Sequence, residues 1–263
     1  MNVLELFCGT KSVGKCCEEL GWNSISLDWE SKFNPTHCCD ILEFDYKQYP
    51  QDYFDIIWCS PDCRYYSKLQ NTWIGRKKKD GIITTKESIE ENRKKSDILI
   101  YKCWEIIDYF NPHYWFLENP LSTLKDREVM KDKPYYIVDY CKYSDWGYRK
   151  RTCIWTNKKD FEPLICKNDC NNMITIETNG AVHTGYKTPI KSATRTLHTN
   201  PISDMNKCKS IRKHILNVAK DVHTVGETKG KHQKDVSKDF GSGTNRLDRY
   251  RVPEELIYSL FLS

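Results

Sequence analysis

The 263-residue chain has no long hydrophobic run. Apolar stretches such as Ile98–Tyr101 and Tyr114–Leu117 fall far short of the ~18 residues that cross a bilayer, so no membrane contact is expected. It opens Met1-Asn2-Val3-Leu4-Glu5-Leu6-Phe7 without a basic leader or cleavage site, which argues against secretion. It carries no G-x-G-x-x-G fingerprint and no P-loop, which speaks against dinucleotide and nucleoside-triphosphate chemistry. Internal repeats are absent, which excludes a solenoid or propeller. A disulfide scaffold is excluded by arithmetic: the thirteen cysteines are odd in number, and Cys16-Cys17 and Cys38-Cys39 are adjacent in sequence. Several lie in apolar runs, where free cysteine acts as a small buried hydrophobe, and Cys8, Cys16, Cys17, Cys38, Cys39, Cys59 and Cys103 are read as packing residues. The expectation is a reduced, soluble, intracellular protein.

What is present is a core-forming composition, 39% hydrophobic and 29% charged. The overall charge of +5 is unevenly spread. Residues 156–250 hold 17 Lys and Arg against 10 Asp and Glu, a net +7, which leaves −2 for the rest. A basic segment beside a slightly acidic body suits either a polyanion partner or a plain lysine-rich surface.

Hydrophobic periodicity predicts strands at residues 2–8, 23–27, 53–59 and 114–117, the last stopped by Glu118-Asn119-Pro120. Helical stripes follow the first strand (Val13, Cys16, Cys17, Leu20) and cover roughly 85–110, with Thr84-x-x-Glu87 as a capping box. A hairpin-like pair is expected at 135–141 and 151–156, and a helix at the end of the chain, led by Pro253. Alternating strand and helix through residue 120 is the pattern of a doubly wound α/β sheet. Ligands then sit beyond the carboxyl ends of the strands, where Gly9, Asp28, Asp40, Cys63 and Glu118 fall. After residue 156 periodicity fades and only short strands are expected.

Each strand end offers a chemistry. In Leu6-Phe7-Cys8-Gly9-Thr10-Lys11 the glycine lets a ligand approach the backbone, although a simple tight turn would look the same. Asp28 is placed to accept from both hydroxyls of a ribose, and Trp29 to stack on a base. Asp40-Ile41 can take an exocyclic amine and pack on the same ring. In Ser60-Pro61-Asp62-Cys63-Arg64 a rigid turn presents a thiol, and a nearby cation would populate its thiolate, the nucleophilic form. Glu118, stiffened by Asn119-Pro120, is a general acid or hydrogen-bond donor if burial raises its pKa; alone it would read as a solvated strand-end acid. The stretch Gly75-Arg76-Lys77-Lys78-Lys79-Asp80-Gly81, near Trp73, is a loop that either closes over nucleic acid or is merely solvated. Cys166-x3-Cys170 could ligate zinc with His183, His198, Cys208 or His214, but C-x3-C is only loosely zinc-like and no second clean pair accompanies it, so no metal is expected.

In order and spacing these residues resemble the cytosine C5 methyltransferases that use S-adenosylmethionine. The glycine motif is Phe7-Cys8-Gly9-Thr10-Lys11, the acid-tryptophan pair Asp28-Trp29 and the next acid Asp40. The nucleophile motif is Asp62-Cys63-Arg64-Tyr65-Tyr66-Ser67, the Glu-Asn motif Glu118-Asn119, the Arg-x-Arg motif Arg151-Thr152-Cys153, and the closing helix follows Val252-Pro253. The resemblance implies a class I, Rossmann-like methyltransferase fold, with a catalytic domain at 1–156 and 244–263 and a small, irregular target recognition region at 157–243. It implies Cys63, Glu118 and Arg151 as catalytic residues, and Phe7, Gly9, Thr10, Asp28, Trp29, Asp40, Ile41 and Pro61 around S-adenosylmethionine. It further implies a monomer acting on a flipped cytosine in double-stranded DNA through a covalent Cys63 adduct. Alternatives are the same reaction on RNA such as tRNA, a catalytically impaired nucleic-acid-binding relative and, more distantly, a nicotinamide dehydrogenase. Three departures bear on activity. Asp62 replaces the proline before the nucleophile and would raise the Cys63 pKa unless turned away or paired. Arg64 replaces a glutamine. Cys153 stands at the second arginine of Arg-x-Arg, with Arg149 and Lys150 as the candidate substitutes.

Overall fold

A computed structural model describes residues 1–78, 80–146, 149–171, 173–177, 194–198 and 250–263, with 173–177 and 194–198 described by backbone alone. These residues form two compact units, one of 1–138, 151–165 and 251–263, the other of 139–150 and 166–250.

The first unit is built on a seven-stranded sheet: β1 (Asn2–Leu6), β2 (Asn23–Asp28), β3 (His37–Cys38), β4 (Ile56–Cys59), β5 (Tyr114–Pro120), β6 (Tyr135–Asp139) and β7 (Arg151–Thr156). Their order is β3-β2-β1-β4-β5-β7-β6. The strands from β3 to β5 are parallel, and β7 runs antiparallel to β5. This is the doubly wound α/β architecture the strand and helix alternation predicts, and the Rossmann-like one the resemblance implies, with the order reversing between β1 and β4.

Both faces of the central strands are apolar because both are covered. On one face Leu4, Leu6, Ile57, Cys59 and Leu117 join a core with Ile100, Cys103, Trp104, Ile107 and Phe110 of helix α2 (Lys86–Phe110). On the other, Trp58 and Phe116 lie opposite one another and meet Phe261 of α3 (Glu254–Leu262) at ring separations of 6.2 and 5.8 Å. Trp22, which follows α1 (Ser12–Glu19), stacks on the same Phe261 at 5.6 Å.

Among the boundaries that differ from the sequence pattern, two have a clear physical cause. Helix α2 is capped by Thr85, whose side chain and that of Ser88 exchange hydrogen bonds with each other's backbone N–H. Thr84 is unavailable because its own backbone closes a short hairpin with Gly75 and Arg76. Strand β5 continues through Glu118, Asn119 and Pro120, since β7 pairs with all three. Of the cysteines expected to pack, Cys38 is instead exposed on the short edge strand.

In the second unit β8 (Met173–Glu177) and β9 (Thr194–His198) pair antiparallel. No helix among the described residues is long and apolar enough to cross a membrane.

Replacing Thr85 by Ala removes one half of a reciprocal cap and should lower stability by about 1 kcal/mol, read as a shift of the urea midpoint at unchanged slope.

Candidate active site

The chain leaves β1 through a tight turn. Phe7, Gly9 and Lys11 take φ of 59, 47 and 55°, and the Lys11 N–H closes on the Cys8 carbonyl at 2.7 Å. Gly9 is the position where a bare backbone matters: its N–H donates to Asp28 Oδ2 at 2.9 Å. Asp28 Oδ1 accepts from the Glu30 N–H, also at 2.9 Å. Only 6% exposed, Asp28 has its carboxyl pushed above the ordinary value by burial, against the opposing pull of the Gly9 N–H. Trp29 beside it is 72% exposed. Thr10 Oγ1 lies 3.4 Å from Ser12 Oγ. Asp40 is exposed and caps the Leu42 N–H at 2.9 Å, while Ile41 belongs to the buried core.

Beneath this turn lies an acid that the motifs do not include. Glu5, inside β1, receives the Val13 and Gly14 N–H groups at 3.2 and 3.0 Å, placing a carboxyl against the first turn of α1. A Cβ on Gly14 would come within 3.2 Å of Glu5 Oε2, so glycine permits this approach. Burial raises Glu5 from its ordinary 4.5 to about 7, more than those two N–H groups and Lys11 lower it. The visible signal was a lone acid interrupting the apolar run Val3-Leu4-Glu5-Leu6.

The loop after β4 is tied to its surroundings at each step. The Ser60 N–H reaches the Leu6 carbonyl at 3.1 Å, joining the ends of β4 and β1. Asn119, fully buried at the end of β5, donates its side-chain amide to the Pro61 carbonyl at 2.9 Å. The Tyr66 N–H closes the turn on the Cys63 carbonyl at 3.2 Å. The Tyr66 carbonyl takes both the N–H and the hydroxyl of Thr123 at 3.1 and 2.7 Å. Its phenol donates to Asp97 at 3.0 Å, and Arg127 binds both Asp97 and Glu90, the latter at 2.6 Å. Cys63 is half-buried in this clamped turn. Asp62 accepts the Arg64 N–H at 2.8 Å and lies 3.4 Å from its guanidinium, so the carboxylate that replaces proline is paired within the turn.

Glu118 is buried on β5, opposite Ile154, and Asn119 is opposite Cys153. The Asn119–Pro61 bond therefore joins the segment bearing Glu118 to the turn bearing Cys63. Arg151 opens β7, exposed, with its carbonyl taking the Leu121 N–H at 2.9 Å. Strand alternation puts it on the face of Asn119, opposite that of Glu118. Cys153 is a core residue whose thiol burial pushes up to about 12. Arg149 and Lys150 are both engaged elsewhere, Arg149 with buried Asp139 at 2.9 Å and Lys150 over the Tyr140 ring at 4.7 Å.

The basic loop is a small hairpin rather than irregular chain. Lys77 bridges Ile83, and Gly75 and Gly81 turn it with φ of 80 and 87°. The Arg76 guanidinium covers Trp73 at 5.5 Å. Lys79, His183, Cys208 and His214 lie outside the described residues, as does the His198 side chain.

No protein-family model matches the chain. A curated relative, "Probable DNA (cytosine-5)-methyltransferase" of Frog virus 3 (isolate Goorha), is 43% identical over 178 residues, spanning 66% of this chain and 79% of the relative. Among solved structures, the S. pombe Dnmt2 methyltransferase aligns at TM-score 0.37 and 15% identity, over 64% of this chain and 54% of that one. The Entamoeba histolytica methyltransferase EhMeth aligns at TM-score 0.39 and 19% identity, over 63% and 55%. The chain thus spans little more than half of each of these solved chains.

Because the folded pKa of Glu5 is raised, its contribution is fully present below about 4.5 and is lost as pH climbs through about 7. Stability should fall by roughly 3 kcal/mol over that window from this group alone. Urea unfolding at pH steps from 5 to 8 should show this slope in the native chain and a flatter one in Glu5→Gln. Equal slopes would contradict the assignment.

Proposed function

The chain belongs to the DNA (cytosine-5)-methyltransferase family, and we propose that it transfers a methyl group from S-adenosylmethionine to carbon 5 of cytosine in double-stranded DNA. The observation that carries this reading is the Asn119–Pro61 hydrogen bond. It ties the turn bearing Cys63 to the strand end bearing Glu118, and the Ser60–Leu6 bond ties the same turn to the end of β1, which supports this reading.

The residues at the first turn suit the cofactor. Buried Asp28 keeps lone pairs for a ribose beyond those given to Gly9 and Glu30, and exposed Trp29 offers a ring face to a base. Phe7, Gly9, Thr10 and Pro61 border the same ends of β1 and β4, and Asp40 and Ile41 follow β3. S-adenosylmethionine, when bound, supplies an electrophilic methyl group.

The chain's own groups do the rest. The Cys63 thiolate adds to carbon 6 of the cytosine, which makes carbon 5 nucleophilic. Glu118 braces N3 and the exocyclic amine, where charge develops. Carbon 5 takes the methyl group, a base removes the carbon 5 proton, and the electron pair expels Cys63. Stacking hides carbon 6 in a duplex, so the nucleotide is extruded. The hairpin carrying Arg76 and Lys78, with Trp73 just before it, closes over the nucleic acid. Arg151 holds the neighbouring backbone, and the basic region 157–243 reads the target.

The test is incubation with labelled cofactor and either mixed-sequence duplex DNA or total tRNA. Label should enter DNA as 5-methylcytosine. Label in tRNA alone would move the substrate to RNA, and label in neither, with folded protein, would overturn the proposal. Cys63→Ser should abolish transfer while leaving cofactor binding intact. Glu118→Gln should lower kcat by about 10²- to 10³-fold. Asp28→Asn should act on cofactor affinity instead.

A further inference from the structure

Apart from this site, the second unit contains a buried cluster of a different kind. Cys141, shortly after β6, joins Cys166 and Cys170 of the C-x3-C segment. All three are buried and in no disulfide, and their sulfurs lie within 4.8 Å of one another. Among the described residues they make up a core cluster containing nothing else. Three small thiols are a poor hydrophobic core, and an odd number cannot all pair as disulfides.

The surroundings hold these sulfurs in place. Asp139, fully buried, accepts the Cys166 N–H at 2.9 Å and is itself held by Arg149 at 2.9 Å. One carboxylate thus fixes Cys166 relative to the turn that carries Cys141. Between Cys166 and Cys170 the chain reverses through Asn168 at φ 68°, with the Lys167 N–H on Asp169 at 3.0 Å. Lys142 lies 3.4 Å from Asp169, a further tie between the turn carrying Cys141 and the C-x3-C segment.

We infer that Cys141, Cys166 and Cys170 bind a structural zinc ion that staples the second unit. Zinc with Zn–S bonds of about 2.3 Å places its sulfurs about 3.8 Å apart, a spacing this cluster reaches with small shifts. Soft thiolates favour zinc over magnesium or calcium. Three thiolates occupy one face of a tetrahedron, and a fourth nitrogen, sulfur or oxygen donor completes it. Binding releases the three thiol protons, so the site weakens on acidification. The inference is independent of methyl transfer.

The test uses the untagged full chain, purified without chelator. Elemental analysis should find about one zinc per chain that survives dialysis. Exchange with cobalt should give the intense visible bands of a tetrahedral thiolate site. Cys141→Ser and Cys166→Ser should each cut zinc content at least tenfold, and chelation should open residues 139–150 and 166–171 to protease. Zinc-free protein that gives no tetrahedral spectrum with added cobalt would overturn the inference, even if the serine variants fail to fold. So would a disulfide among the three, or full zinc content in both variants.

Discussion

Everything at the site depends on two neighbouring parallel strands, β1 and β4, between which the sheet reverses its order of growth. Strands added beyond β1 carry their crossovers one way and those beyond β4 the other. The loops leaving these two strands therefore diverge and leave a crevice at their carboxyl ends. The glycine turn and the cysteine turn are these two loops. The Ser60–Leu6 and Asn119–Pro61 hydrogen bonds keep them in register with each other and with β5. A thiol needs this rigidity to act as a nucleophile, because its geometry relative to the reacting carbon controls the rate.

Acids are placed by the same economy of backbone donors. Asp28 and Glu5 are both buried, and each accepts two N–H groups from the chain around it. Asp62, exposed, is satisfied by Arg64. The departure that looked most damaging to a thiolate is thus paired locally, and the replacement of glutamine by Arg64 supplies the partner.

The central parallel strands, the long second helix and the closing helix were legible because buried runs and helical stripes are local signals. The strand ends followed from them: Gly9, Asp28, Cys63 and Glu118 lie at or shortly after the ends of β1, β2, β4 and β5. What escaped depends on contacts distant in sequence. The cap of α2 moved from Thr84 to Thr85 because Arg76 claims the Thr84 backbone. Pro120 stays in a strand because β7, more than thirty residues later, pairs with it. Arg149 and Lys150 looked like free substitutes for a missing arginine until Asp139 and Tyr140 were seen to hold them. Cys166-x3-Cys170 looked incomplete as a ligand pair because Cys141 lies well upstream of it in the chain.

The central claim is that the Cys63 sulfur bonds to a pyrimidine. Duplex DNA with 5-fluorocytosine in the methylated site blocks the last proton removal, so the bond should persist. In the presence of cofactor, a denaturation-resistant protein–DNA adduct should form, and its peptide should map to Cys63. Methyl transfer to ordinary DNA without any adduct on the fluorinated duplex, or an adduct on another cysteine such as Cys59, would contradict the account.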